Sequence, residues 1–155
     1  MSERTVSYDT FVIERTYEAP ASRVFRAFAD PKRKATWFAG SIEALGTSYA
    51  LDFRVGGTES NVGGPPGGLV YRYLADYRDI IVDERIIYTY EMYAGDDRIS
   101  VAVATVELRE QGTKTTVVLT EQGVFLDGLD NAEQREGGTR GLLAGLAIYL
   151  DADAG

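Results

Sequence analysis

From Ser48 to Phe125 apolar side chains recur at every second residue, which restricts the chain to an architecture built mainly of half-buried strands. Tyr49, Leu51 and Phe53 alternate with Ala50, Asp52 and Arg54. Leu69, Tyr71, Tyr73, Ala75 and Tyr77 share one face, with Arg72, Asp76 and Arg78 on the other, and Ile86, Tyr88, Tyr90 and Met92 form the next run. Turn chemistry separates these runs. Gly56-Gly57 breaks the first, and the glycine–proline stretch over 63–68 predicts a long flexible hairpin tip. Gly95-Asp96-Asp97 leads into Ile99–Arg109, and Gln111-Gly112-Thr113 into Lys114–Phe125. Short connections of this kind join antiparallel neighbours, so the segment reads as a meander.

What flanks the meander follows other periods. A strand is predicted over Asp9–Ala19, with Phe11, Ile13 and Tyr17 on one face and Arg15 the exception among them. Pro20 ends it and opens a helix, where Val24, Phe25 and Phe28 recur at helical spacing. Asp30-Pro31 reads as an N-cap followed by proline at the first helical position, starting a second short helix toward Trp37-Phe38 that Gly40 stops. Far downstream, Asn131 and Gln134 resemble a capping box, after which Leu142, Leu143, Leu146, Tyr149 and Leu150 fall on one broad face. The order is strand, two short helices, about six antiparallel strands and one long helix. This is an α+β chain, read as a single domain over 1–155 with an ordered core over about 9–153.

Composition narrows the chemistry. The chain has no histidine and no cysteine, which removes imidazole bases, thiolate nucleophiles and zinc–thiolate sites together. The glycine-rich segments lack the lysine of a phosphate loop, and Asp127-Gly-Leu-Asp-Asn lacks the alternation of a calcium loop, so neither a cofactor nor a metal is expected. A formal charge of −8 argues against a nucleic-acid or anionic-membrane partner. No apolar run approaches the ~20 residues of a membrane span, and Met1–Thr5 does not begin a signal peptide, so a cytoplasmic location is expected. The ten tyrosines are the compositional excess, and rings with an apolar body and a polar tip suit the lining of a cavity.

The stretch Arg15-Thr-Tyr-Glu-Ala-Pro20, followed by Val24-Phe25, Ala29-Asp30-Pro31 and Trp37-Phe38, resembles the opening of the START-like (SRPBCC) ligand-binding superfamily. Within it the chain is most similar to the group related to the C-terminal domain of the activator of the 90-kDa heat-shock chaperone ATPase. Asp52–Gly57, Ala75–Ile80, Glu84–Tyr90, Gly112-Thr113 and Gly137 at the opening of the final helix extend the likeness over nearly the whole chain. The resemblance implies the helix-grip fold of the birch-pollen-allergen type: a curved antiparallel sheet of about six to seven strands around a long C-terminal helix, with a cavity between them. Relatives often carry tryptophan where Phe38, Tyr90 and Gly138 stand, and glycine where Ala75 stands. Glycine at 138 implies either a larger cavity or another residue filling the space.

That cavity is expected to take up a small hydrophobic or aromatic molecule. Its candidate lining is Trp37, Phe38, Phe53, Arg54, Tyr71, Tyr73, Tyr88, Tyr90, Met92, Gly138, Leu142 and Leu146. Arg54 and Arg15 are candidate anchors for a ligand carboxylate or phenolate, against the plainer reading of surface ion pairs. Gly137, Gly141 and Gly145 recur every four residues, which fits close approach of helix to sheet better than floor space for a ligand. The resemblance also implies two alternatives. One is an enzyme of the cyclase or hydrolase kind on polyketide-type substrates, which would need a carboxylate of raised pKa inside the cavity, and the strand pattern places few acids inward. The other is a co-regulator of the chaperone ATPase, implied less directly because this chain reads as one domain. No catalytic residue is singled out, and a homodimer is compatible with the sequence.

Overall fold

The computed structural model describes residues 4–39 and 48–152. Seven strands form one antiparallel sheet: β1 (Val6–Tyr17), β2 (Ser48–Leu51), β3 (Thr58–Gly63), β4 (Tyr71–Ile81), β5 (Arg85–Ala94), β6 (Asp97–Gln111) and β7 (Lys114–Leu126). They lie in the order β1-β7-β6-β5-β4-β3-β2, so the meander from β2 to β7 is finished by the first strand pairing with the last. Helices α1 (Ala21–Ala29) and α2 (Pro31–Phe38) follow β1, and α3 (Ala132–Ala152) closes the chain. This is the helix-grip arrangement, a curved sheet holding a long helix. Register shifts at Tyr77/Asp79 and at Met92/Tyr93 interrupt the two ladders that β5 shares with β4 and with β6. Irregularities of this kind let a sheet bend.

Alternation decides which face is inside. Phe11, Ile13 and Tyr17 of β1, Tyr73, Ala75 and Tyr77 of β4, and Ile86, Tyr88 and Tyr90 of β5 are all buried. Against them α3 lays Leu143, Leu146 and Leu150. The Tyr17 hydroxyl ties sheet to helix by donating to the Leu143 carbonyl at 2.8 Å. Asp30 caps α2 by accepting from the amides of Lys32 and Arg33 at 3.0 and 3.1 Å, and Asn131 caps α3 by accepting from the Gln134 amide at 2.9 Å. Among the described residues, no helix is long and apolar enough to cross a membrane.

Several local expectations change. The first strand runs from Val6 to Tyr17 rather than from Asp9 to Ala19, and α3 opens at Ala132, more than a turn before Gly137. The strand expected to carry Tyr49 through Arg54 stops at Leu51, because the chain turns sharply over 52–57. A β-carbon at Gly57 would lie 2.1 Å from the Asp52 carbonyl oxygen, so only glycine passes there. Gly40, the expected stop of α2, lies outside the described residues; the helix ends at Phe38 with Ala39 as its cap. The glycines of α3 do not mediate close packing against the sheet. A β-carbon at Gly137, Gly138 or Gly141 would meet nothing within 4 Å, and only Gly145 approaches a neighbour, the Trp37 carbonyl of α2 at 3.5 Å. Nothing in the structure explains Gly137 and Gly141.

Candidate functional site

Between the concave sheet and α3 lies a cavity of about 300 Å³, the lower end of the range typical for small-molecule sites. One turn of α2 supplies Lys34, Trp37 and Phe38, which share a face because they are three and four residues apart. The indole is fixed by its N–H donating to the Ala27 carbonyl at 2.9 Å and by an edge contact with Phe28 at 5.0 Å. Inward positions of β4 and β5 contribute Tyr73, Tyr88, Tyr90 and Met92, and β7 contributes Leu119 and Glu121. The rings form a continuous belt: Phe38 to Tyr73 at 5.2 Å, Tyr73 to Tyr90 at 4.9 Å, Tyr90 to Tyr88 at 6.1 Å and Tyr88 to Tyr77 at 5.6 Å. From α3 come Gln134, Arg135, Gly138, Thr139, Leu142 and Leu143. Gln134 and Gly138 are exposed and form the rim.

At the α2 end of the cavity sits a buried ion pair. Lys34 Nζ is 2.8 Å from Glu59, and the two side chains are 2% and 0% exposed. Glu59 also accepts hydrogen bonds from the hydroxyls of Tyr49 at 2.5 Å, Tyr77 at 2.9 Å and Tyr73 at 3.4 Å. The ammonium donates further to the Tyr77 oxygen at 3.3 Å and lies 4.4 Å from the centre of the Phe38 ring. Burial pulls Lys34 below its ordinary range, while the charge and hydrogen bond of Glu59 pull back. Burial, and then the charge of Glu59, push the Tyr73 and Tyr77 hydroxyls well above theirs, so these phenols stay neutral donors.

The opposite end is built differently. Glu121 is 3% exposed, lines the cavity, and has one carboxylate oxygen, Oε1, with no hydrogen-bond partner. Burial pushes its pKa up to about 7; the charge of Arg135 and a hydrogen bond from Thr139 oppose the shift, and Asp130 adds to it. Arg135 is committed elsewhere, donating to the Tyr90 hydroxyl at 2.9 Å and to the Ser100 hydroxyl at 3.0 Å, and pairing with Asp130. Asn61 Oδ1 is the second buried acceptor of the lining without a partner. Among the described residues, no group of three or more acidic side chains converges as a metal site.

Of the residues singled out from sequence, Trp37, Phe38, Tyr73, Tyr88, Tyr90, Met92, Gly138 and Leu142 come together around this cavity. Four do not. Phe53 packs edge-on between Phe25 and Tyr77, at 5.6 and 5.0 Å, on the turn after β2. Arg54 on the same turn is exposed and paired with Asp52 at 2.9 Å. Tyr71 is 44% exposed at the start of β4 and borders a smaller hollow near Ala39 and Gly64. Leu146 is fully buried one turn past the cavity, in the solid core. Arg15 is also outside, exposed, with its guanidinium 5.9 Å from the Tyr17 ring centre.

Sequence reasoning misses the polar members: Lys34, Glu59, Asn61, Glu121 and Arg135. Two of them carry a signal. Glu121 continues the inward alternation Val117, Leu119, and Lys34 stands one helical turn before Trp37 and Phe38. Inward acids are few among the described residues, and the two that are buried, Glu59 and Glu121, shape the site.

No curated protein matches the chain. Among solved structures, it is similar to an uncharacterized protein from Rhizobium leguminosarum, at 44% identity over 97% of this chain and 99% of that one, with a TM-score of 0.91. It is also similar to the Mll3558 protein from Rhizobium loti, at 43% identity over 94% and 99% of the two chains, with a TM-score of 0.87. DynU16, from the dynemicin biosynthetic locus, shares the fold at 18% identity and a TM-score of 0.66, over 92% of this chain and 47% of its own. The family model described as Activator of Hsp90 ATPase homolog 1-like protein matches residues 18–151, from the end of β1 to the last turn of α3. Every element that walls the cavity falls within that match, and the chain belongs to this family.

Proposed function

We propose that the protein binds a small, largely hydrophobic or aromatic molecule in the cavity between its sheet and α3. The observation that carries this reading is the roughly 300 Å³ hollow itself, walled by aromatic rings and left open where Gly138 has no side chain. A cavity of that size lined by apolar groups gains free energy from any matching guest, at about 25 cal/mol per Å² of apolar surface removed from water. The direct test is native mass spectrometry on protein purified without unfolding or extraction, followed by a thermal-shift screen of small aromatic compounds. An added mass that disappears on denaturation, or a raised melting temperature with compounds of this class, supports the reading. Neither being found across a broad screen would refute it.

A second reading, catalysis, is favoured by Glu121: a buried carboxyl whose pKa lies near 7 in a ligand-sized cavity is suited to proton transfer. Turnover of a polyketide-type substrate that vanishes in Glu121→Gln while binding persists would establish it. The chaperone reading rests on the family's name, and adding the protein to a 90-kDa heat-shock chaperone ATPase assay decides it.

A further inference from the structure

We infer that the guest of this cavity presents a hydrogen-bond donor, a hydroxyl or an ammonium, on a compact ring-bearing body and carries no anionic group. This rests on the binding reading above and names the ligand chemistry that the site selects.

The polar groups of the cavity fall into two sets, those already partnered and those not. Both cations are partnered. Lys34 is spent on Glu59, the Tyr77 oxygen and the face of Phe38. Arg135 is spent on Tyr90, Ser100 and Asp130. What remains are acceptors: Glu121 Oε1 on β7 and Asn61 Oδ1 on β3, both buried, both without a partner, both on the lining of the same cavity. A buried acceptor left unmade costs roughly 1–3 kcal/mol, more when charged, so a ligand that donates to it recovers that cost.

The charges lead to the same conclusion. Each cation of the lining has its own carboxylate, Lys34 with Glu59 and Arg135 with Asp130. Glu121 is the charged member of the lining, among the described residues, that has no ion-pair contact of its own. An anionic ligand would therefore find no uncommitted cation, and would face Glu121 across an apolar space where like charges repel strongly. The groups around Glu121 are Arg135, Thr139 and Asp130, together with the hydroxyls of Tyr73 and Tyr88, which feel its charge, and its carboxyl is neutral or singly negative according to pH. A ligand hydroxyl or ammonium suits the negative form.

Calorimetric titration at about pH 8, where Glu121 with its pKa pushed up to about 7 is mostly ionised, tests this with four probes sharing one skeleton: naphthalene, a naphthol, a naphthylmethylamine and a naphthoate. The naphthol and the amine are expected to bind roughly tenfold or more tighter than the naphthoate. Their relative order shows whether hydroxyl or ammonium is the preferred head. In Glu121→Leu the naphthol should lose most of its advantage over naphthalene, with Asn61 Oδ1 the acceptor that remains, and in Glu121→Gln the deficit of the naphthoate should shrink. A naphthoate that binds the wild type as tightly as the naphthol overturns the inference while leaving the cavity a binding site. So does a preference unchanged in both variants. Absence of binding by all four, the parent hydrocarbon included, removes the binding reading itself. Should Glu121→Leu fail to fold, the wild-type order of the four probes still decides.

Discussion

Glu59 and Glu121 are both buried acids on strands of one sheet, and their surroundings could hardly differ more. Glu59 is saturated, with an ammonium and three phenols directed at it. Glu121 has an arginine nearby that is occupied with other partners, and one of its oxygens is left bare. A saturated buried charge acts as a post that holds α2, β2, β3 and β4 together. An unsaturated one is a cost the fold carries, and such costs concentrate where a protein meets its ligand. The contrast separates what builds the pocket from what the pocket is for.

Breaking the saturated cluster should have the largest effect. Lys34→Met leaves Glu59 buried without its cation and is expected to destabilise the protein by about 3–5 kcal/mol in denaturant titration. Adding Glu59→Gln to that variant should restore most of the loss, since the unpaired buried charge is removed while the amide oxygen still accepts from the tyrosine hydroxyls. If the double variant is no more stable than the single, the cluster is not the self-contained unit described above.

At the unsaturated end the sign reverses. The Glu121 carboxyl titrates at about 7 in the folded protein against an ordinary value of 4.5. Between those two pH values the folded state binds more protons than the unfolded one, so stability falls as pH rises through that window. Glu121→Gln should abolish this slope and stabilise the protein by about 1–3 kcal/mol above pH 7. Equal pH profiles for variant and wild type would show that the carboxyl is not desolvated as its burial implies.

A smaller stability effect, but a complete functional one, is expected at the rim. Gly138→Trp builds a large side chain from a position whose β-carbon would meet nothing within 4 Å. It should raise stability by up to about 1 kcal/mol by removing a helical glycine, while ligand-induced thermal shifts disappear. Retention of those shifts would mean that the mouth is elsewhere. Arg54→Ala marks the lower end of the scale: its exposed pair with Asp52 should contribute less than about 1 kcal/mol, and ligand binding should not change.

Much of this architecture is legible in the sequence because alternation, turn glycines and caps are local signals. The Asp30 cap and the inward tyrosines Tyr73, Tyr77, Tyr88 and Tyr90 can be read from their neighbours alone. The extent of β2 cannot, because the turn that stops it is closed by Gly57 passing the Asp52 carbonyl and by β4 hydrogen-bonding back to the glycine pair. Parity places Phe53 and Tyr71 on the cavity, yet parity fails where a strand ends early or where its first residue is left exposed. The polar cluster is least legible. Lys34 and Glu59 are 25 residues apart, on a helix and on a short strand, and only the closed fold makes them partners. Single charged residues in an apolar period look like exceptions until their counterpart is located.

The chain contains one indole, and it stands in the wall of the cavity in T-shaped contact with Phe28 and Phe38. Excitation of this molecule at the red edge of protein absorbance therefore addresses a single chromophore already in place. Its emission colour and lifetime register whether water or a guest fills the space beside it, so occupancy can be followed without any attached dye.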